Sequence, residues 1–97
     1  MTEEKTMIPV GMRPSDYITK GWCKRKNARD LLGMPTHPNA DDAVAWCLMG
    51  SLFLVPEAVS LSLSAALNRL IPTCLWLWND APDRTKDEVL AVLLEAE

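Results

Sequence analysis

The sequence contains few of the residues that build common catalytic and cofactor sites. It has one histidine, His37, and its four glycines are scattered rather than gathered in a loop that could hold a phosphate. The longest apolar run, residues 43–55, is too short to span a bilayer. The N-terminus places acids before any basic residue and shows no secretory signal. We therefore expect a cytoplasmic protein without a membrane segment.

The length and composition predict one globular domain. The chain has 97 residues, of which 48% are hydrophobic and 24% charged, as in ordinary globular proteins. We assign residues 1–97 to a single helical domain, with residues 1–13 as a tail or extended lead-in. The net charge of −3 is uneven, because the chain before Asn39 is net positive and the remainder is net negative.

The hydrophobic pattern predicts an all-α fold, a small bundle of about four helices around a central apolar helix. The central helix is expected over residues 40–54, with Asn39 as its N-cap and Asp41 and Asp42 in the first turn, where the helix dipole favours acids. Its apolar residues lie almost all the way round. We therefore expect it to be covered by the last helix and the tryptophans, by a partner, or by a second copy in a homodimer.

The first third of the chain predicts a short helix followed by irregular structure. Ser15 is the expected N-cap, and Gly21 suits the left-handed position that ends a helix. Residues 30–39 contain a glycine and two prolines, which predict a loop.

The last third predicts two helices and one ambiguous segment. Pro56 suits the first position of a helix that Pro72 ends. Residues 73–78 fit either a short helical turn or an extended piece. The C-terminal helix has the clearest signal, because Thr85 and Glu88 form the T-x-x-E pattern of a capping box.

Two groups of residues are candidate binding sites. The first combines basic side chains with an aromatic ring, as in surfaces that bind nucleic acid; the alternative is a solvated loop or one that docks on the acidic half. The second surrounds the turn before the last helix, where Asn and Asp side chains either fix the backbone or contact a ligand. The first group is Lys20, Trp22, Lys24, Arg25, Lys26 and Arg29, and the second is Asn79, Asp80 and Arg84.

Cys23, His37, Cys47 and Cys74 have the residue types of a three-cysteine, one-histidine zinc site or of a Cys–His nucleophile pair. The sequence has no C-x-x-C pair, and its odd number of cysteines indicates a reducing compartment. We expect buried thiols, a solvated histidine, and neither metal nor cofactor.

The sequence contains a W-C pair, an A-x-x-W-C-x-x-G-[AS]-L segment, a W-N-D turn and an R-T-x-x-[DE]-V segment. The residues of these motifs and their neighbours are Trp22-Cys23, Asp42-Ala43, Trp46-Cys47-Leu48-Met49-Gly50-Ser51-Leu52, Trp78-Asn79-Asp80, Arg84-Thr85 and Glu88-Val89-Leu90. In these motifs the chain resembles, over residues 15–96, an uncharacterised family of small bacterial and phage proteins. The flanks of the two Trp-Cys pairs differ too much for an internal duplication.

The resemblance implies no known activity. It implies a bacterial or phage cytoplasmic setting, and it implies that Asn79 and Asp80 anchor the C-terminal helix to the body. For function we expect a non-enzymatic protein that acts by protein–protein contact, for instance a phage-encoded inhibitor of a CRISPR-type bacterial defence complex, whose acidic surface would compete for a basic channel. The alternatives are a nucleic-acid-binding accessory protein that uses the basic group, and an enzyme or zinc protein that uses His37 with the cysteines.

Overall fold

The computed structural model describes residues 13–97, so the predicted tail, apart from Arg13, lies outside the described residues. Over this range the chain forms five helices and two short strands. In chain order they are α1 (Pro14–Lys20), β1 (Ala28–Arg29), β2 (Ala45–Trp46), α2 (Leu48–Phe53), α3 (Glu57–Leu70), α4 (Leu75–Asn79) and α5 (Lys86–Ala96). The prediction of a mostly helical fold is confirmed, but the fold is not purely all-α, because two short strands form a small sheet.

The core lies where α1, α2, α3 and α5 meet. α1 packs against α2 and α5, and α3 packs against the same two helices. Leu63 and Leu67 of α3 are buried, and so are Val89 and Leu93 of α5. In each pair the spacing of four residues places both side chains on one helix face. Ile18 of α1 is fully buried in the same cluster.

The predicted central helix over residues 40–54 is wrong in its first half. Only α2 is helical there, whereas residues 40–42 form a bend and a turn, residues 43–44 are irregular and β2 is extended. β2 pairs antiparallel with β1. On its other side, the Trp46 amide donates to the Gly21 carbonyl at 3.0 Å, and the Cys23 amide donates to the Trp46 carbonyl at 3.2 Å. Because β2 shares its backbone bonds with two other segments, a helix here would leave their polar groups without partners.

One side of the shortened apolar helix is covered within the chain, whereas Met49 and Phe53 remain exposed. α2 contacts α1, α3 and α4, and its residues Leu48, Ser51 and Leu52 are buried. Gly50 also faces the interior, where a Cβ atom would lie 1.9 Å from the Asn27 carbonyl oxygen. The absence of a side chain at Gly50 therefore lets α2 touch the segment that precedes β1.

The two ends of α1 differ from the prediction. Arg13 is the N-cap, and Ser15 lies inside the first turn. The Ser15 hydroxyl and amide donate to the two carboxylate oxygens of Glu97, at 2.7 and 3.0 Å. Gly21 ends the helix, but its φ of −176° is extended rather than left-handed. Close packing requires glycine here, since a Cβ atom would lie 2.3 Å from the Val44 carbonyl oxygen.

The later elements follow the prediction more closely. α3 is preceded by Pro56 as its N-cap, and Pro72 follows its end. The ambiguous residues 73–78 supply most of α4. The capping box of α5 is confirmed, because the Glu88 amide donates to Thr85 Oγ1 at 3.2 Å and the Thr85 amide donates to Glu88 Oε1 at 3.0 Å. Within residues 13–97, no helix combines the length and apolarity needed to cross a membrane.

Candidate functional site

The two candidate groups meet at Asn79, the last residue of α4, whose side chain is fully buried. Its Oδ1 accepts from Trp22 Nε1 at 2.8 Å and from the Leu48 amide at 3.0 Å. Its Nδ2 donates to the Cys23 carbonyl at 3.2 Å and to Asp80 Oδ1 at 2.9 Å. The amide thus makes four hydrogen bonds, the number that its two acceptor and two donor positions allow. We call Asn79 and these four partners the Asn79 junction.

Asp80 and Lys24 hold residues 20–29, which we call the basic segment, next to the Asn79 junction. The Arg25 amide donates to Asp80 Oδ1 at 2.8 Å, and Arg25 has a left-handed backbone with φ of 70°. Lys24 Nζ donates to the Ala81 carbonyl at 2.7 Å and to the Pro82 carbonyl at 3.2 Å. Lys24 therefore stabilises the turn after α4. Part of the basic segment thus packs against the later half of the chain.

Arg84 makes the contacts that join α4 to α5. Its Nε donates to the Trp78 carbonyl at 2.9 Å, and its guanidinium lies 3.8 Å from the centre of the Trp78 ring. Its Nη1 lies 3.4 Å from Glu88 Oε1, in the first turn of α5. The bonds of Asn79 and Asp80 run instead to the basic segment and to α2. Arg84, four residues after Asp80, therefore joins α4 to the first turn of α5, and the side-chain hydrogen bonds of Asn79 and Asp80 within the described residues do not reach α5.

The other members of the basic segment are spread over separate contacts. Lys20 Nζ lies 5.7 Å from the centre of the Tyr17 ring. The N–H of Trp22 points into the interior, toward Asn79. Arg29 Nη1 donates to the carbonyl of Asp30 at 3.2 Å. Lys24 Nζ does lie 5.4 Å from the centre of the Trp22 ring, but the same ammonium bonds the turn after α4. The cations of the segment are therefore divided among separate contacts, and only Lys24 of the described cations lies over Trp22.

Two of the basic residues line an open cleft of about 450 Å³ beside the Asn79 junction. Sequence analysis did not single out Trp76 or Asn27 as site residues, because their position in the cleft follows from the long-range contacts of the junction. The residues that line the cleft are Arg25, Lys26, Asn27, Cys47, Trp76 and Asp80.

The cysteines and the histidine lie in different surroundings. Cys23 and Cys47 are buried in one cluster, whereas Cys74 is exposed. Burial, with Cys47 nearby, raises the pKa of Cys23 to about 11, and burial also raises the pKa of Cys47. Both therefore remain neutral thiols near pH 7. His37 is exposed and packs edge-on against Phe53, with ring centres 5.0 Å apart. In the described range, no three His, Cys, Asp or Glu side chains are grouped to hold a metal ion.

A second feature is the turn formed by residues 30–34, which we call the leucine turn. Leu31 is 83% exposed and Leu32 is 87% exposed. Asp30 Oδ1 accepts from the amides of Leu32 and Met34, both at 2.9 Å, and the Asp30 amide donates to the Met34 carbonyl at 3.0 Å. Gly33 supplies the left-handed residue with φ of 84°. An adjacent leucine pair inside a loop was the sequence signal for this feature, and sequence analysis did not use it.

Comparison with known families gives one match of nearly full length. The model described as a family of unknown function (DUF6197) matches residues 14–97. Comparison with the curated proteins and with the solved structures gives no match. The family match begins at the first residue of α1 and includes the Asn79 junction, the cleft and the leucine turn. The chain belongs to the family of unknown function DUF6197.

Proposed function

We propose that the protein acts by binding another protein through the leucine turn. The observation that carries this proposal is the exposure of Leu31 and Leu32 on a backbone fixed by its own hydrogen bonds. Single exposed leucines are common on soluble proteins, but two neighbours beside the half-exposed Met34 form a continuous apolar projection. A projection that is already ordered loses little conformational entropy when a partner covers it.

The energy available from these side chains suits a specific contact. Complete burial of one leucine side chain contributes about 1.5–3 kcal/mol, so the pair supplies about 3–6 kcal/mol before the entropy of association is subtracted. Contributions of this size are typical of the few residues that dominate a protein interface.

The charges at the base of the turn indicate the chemistry of the partner. Lys26 Nζ donates to the Gly33 carbonyl at 3.2 Å, and Arg29 contacts the carbonyl of Asp30. These acceptors are neutral carbonyls, and within residues 13–97 neither cation forms an ion pair with a carboxylate. We therefore infer a partner with an apolar pocket whose rim is acidic.

The wider hypothesis of a non-enzymatic cytoplasmic protein remains part of the proposal. It is supported by the neutral state of the two buried thiols and by the free state of all three cysteines, which suits a reducing compartment. The narrower hypothesis of a phage inhibitor of a bacterial defence complex gains no support from the family match.

The test compares affinity-tagged variants in cells of the source organism. The double variant Leu31→Ser with Leu32→Ser removes the apolar projection and keeps every backbone bond of the turn. The matched control, Leu70→Ser with Leu94→Ser, removes two exposed leucines from α3 and α5. We expect wild type and control to retain the same partner, and the turn variant to lose it.

Two results would contradict the proposal. The first is equal recovery of the partner by the turn variant and the wild type. The second is flotation of the wild type, but not of the turn variant, with vesicles of anionic phospholipid in the absence of any protein partner. That second result would assign the leucines to a membrane surface, where two side chains give only marginal binding.

A further inference from the structure

The cleft beside the Asn79 junction carries cations that are not neutralised by the rest of the described chain. Arg25 is exposed, and its guanidinium makes no hydrogen bond or ion pair with another residue in the range 13–97. Among the described residues, the Nζ atom of Lys26, the second cation, donates only to the neutral Gly33 carbonyl. The planar guanidinium of arginine matches the oxygens of phosphate or carboxylate in two parallel hydrogen bonds. This side of the cleft is therefore suited to an anion.

An aromatic surface lies in the same cleft. Trp76 lines it and remains 55% exposed, although the neighbouring Leu75 is buried. An exposed indole offers a flat apolar face on which a planar ring can stack. Stacking of this kind accepts any nucleobase, since every base has a π face.

Asp80 gives the cleft a hydrogen-bond acceptor. Its Oδ1 is occupied by the Arg25 amide and by Asn79 Nδ2, which fix the carboxylate in place. A second anion is disfavoured near a fixed carboxylate, whereas an N–H donor is favoured. The cleft thus combines a position for an anion, a stacking face and a position for an N–H group.

The backbone at Arg25 is held in a form that a non-glycine residue rarely adopts. Its φ of 70° lies in the left-handed region, and its bond to Asp80 maintains this conformation. Such strain persists where surrounding contacts impose it, and it is concentrated at ligand sites. The bond from the Arg25 amide to Asp80 therefore fixes the backbone that carries Arg25 before any ligand binds.

We propose that this cleft binds a nucleotide. The phosphate contacts Arg25 and Lys26, the base stacks on Trp76, and an N–H group of the base donates to Asp80. The cleft volume of about 450 Å³ lies within the range of small-molecule sites. An acidic peptide would satisfy the cations but would leave the tryptophan face unused. The nucleotide is either free or one unit of a single strand. This site is distinct from the leucine turn, and each proposal can fail without the other.

Isothermal titration calorimetry of the full chain with 5′-AMP, 5′-GMP, 5′-CMP, 5′-UMP and inorganic phosphate tests the proposal. We expect all four nucleotides to bind more tightly than inorganic phosphate, because each base offers a π face and at least one N–H donor. Arg25→Asn removes the charge while keeping a residue that tolerates positive φ, and it should weaken binding about tenfold, as expected for loss of a charge-assisted hydrogen bond. Trp76→Ala should weaken it by a similar factor.

The control is Arg69→Asn, which removes an equal charge from the exposed last turn of α3. It should leave the affinity unchanged, and circular dichroism should show that each variant is folded. Titration with a pentanucleotide distinguishes a free nucleotide from one unit of a single strand. If the ligand is a single strand, the pentanucleotide binds more tightly than the mononucleotide. Arg25→Asn then weakens the binding of both by the same factor. Equal affinity for phosphate and 5′-AMP would overturn the proposal, and so would equal affinity of the Arg25 and Arg69 variants for every ligand.

Discussion

Replacement of Asn79 by alanine should destabilise the fold more than any other single truncation of a polar side chain in the described chain. The substitution leaves three protein groups without their partner, namely Trp22 Nε1, the Leu48 amide and the Cys23 carbonyl. An unsatisfied buried polar group costs about 1–3 kcal/mol, and water that enters the vacated space moderates the penalty, so we expect a loss of about 3–6 kcal/mol. The total stability of a domain this size is about 5–15 kcal/mol.

Urea unfolding followed by tryptophan fluorescence measures this loss directly. Asn79→Asp separates hydrogen bonding from packing, because it keeps the shape of the side chain but turns an oxygen toward the Cys23 carbonyl and Asp80 Oδ1. We expect this isosteric variant to be at least as unstable as Asn79→Ala. The new carboxylate oxygen would face two other acceptors, the Cys23 carbonyl and Asp80 Oδ1, and its negative charge would be buried. Asn68→Ala, at an exposed position of α3, is the control and should change stability by less than about 0.5 kcal/mol.

Two outcomes would refute this reasoning. If Asn79→Ala lost less than about 1 kcal/mol, the four bonds of the junction would not be important for stability. If Asn79→Asp were as stable as the wild type, the amide donor would not be needed, and the identity of residue 79 would reflect shape alone.

Three further predictions concern packing, capping and the thiols. Gly50→Ala should cost at least about 3 kcal/mol in urea unfolding, because the new Cβ atom meets the Asn27 carbonyl oxygen at 1.9 Å. Thr85→Ala should cost about 1 kcal/mol, since it removes the acceptor of the α5 capping box. In the native protein at pH 7.0, a maleimide should label Cys74 rapidly and Cys23 only slowly. The free energy of unfolding should fall as the pH rises from 9 to 11, because the unfolded thiol of Cys23 ionises near its ordinary pKa of 9.0 and the folded one near about 11.

Each of these has a result that contradicts it. Gly33→Ala is the control for the packing prediction, because it meets no neighbour and carries only left-handed strain of about 1 kcal/mol; equal losses at Gly33 and Gly50 would contradict the close approach. An unchanged α5 in Thr85→Ala would mean that packing alone sets its start. Rapid labelling of all three cysteines would contradict the buried pair. If Cys23→Ala kept the full alkaline loss of stability, another group would be responsible for it.

Elements with local signals were predictable from the sequence. The start of α5 is encoded by Thr85 and Glu88, three residues apart, and the end of α3 is encoded by Pro72. In both cases the groups that determine the boundary are neighbours in sequence. The predicted loop over residues 30–39 is confirmed for the same reason, because glycine and proline act on their own backbone.

The failure over residues 40–47 has a non-local cause. Asn39, Asp41 and Asp42 resemble the start of a helix, but β2 gains backbone partners from segments about 20 residues earlier in the chain. Trp22 and Trp46 are bridged in parallel, so the repeated Trp-Cys pair marks two chain segments that lie side by side. No local pattern reports such pairing, because β propensity depends on the neighbours that the fold supplies.

The candidate site was predictable in part. The sequence indicated both the basic segment and the turn at residues 79–80, but not the contact between them. That contact consists of hydrogen bonds from Trp22 to Asn79 and from Arg25 to Asp80, and each joins residues more than 50 positions apart. Trp76 reaches the cleft only because α4 is placed by the same bonds. The bonds from the Leu32 and Met34 amides to Asp30 fix the turn in which Leu31 and Leu32 are exposed, and the sequence alone did not indicate them.

Photo-crosslinking at the leucine turn tests the central functional claim most directly. A photoreactive amino acid is introduced at position 32 in one protein and at position 94, which is exposed on α5, in another. Both proteins are irradiated in cells of the source organism, and the adducts are identified by mass spectrometry. The account predicts a discrete protein adduct from position 32 that position 94 does not give and that the added substitution Leu31→Ser abolishes. The same adducts from both positions, or none from position 32, would contradict it.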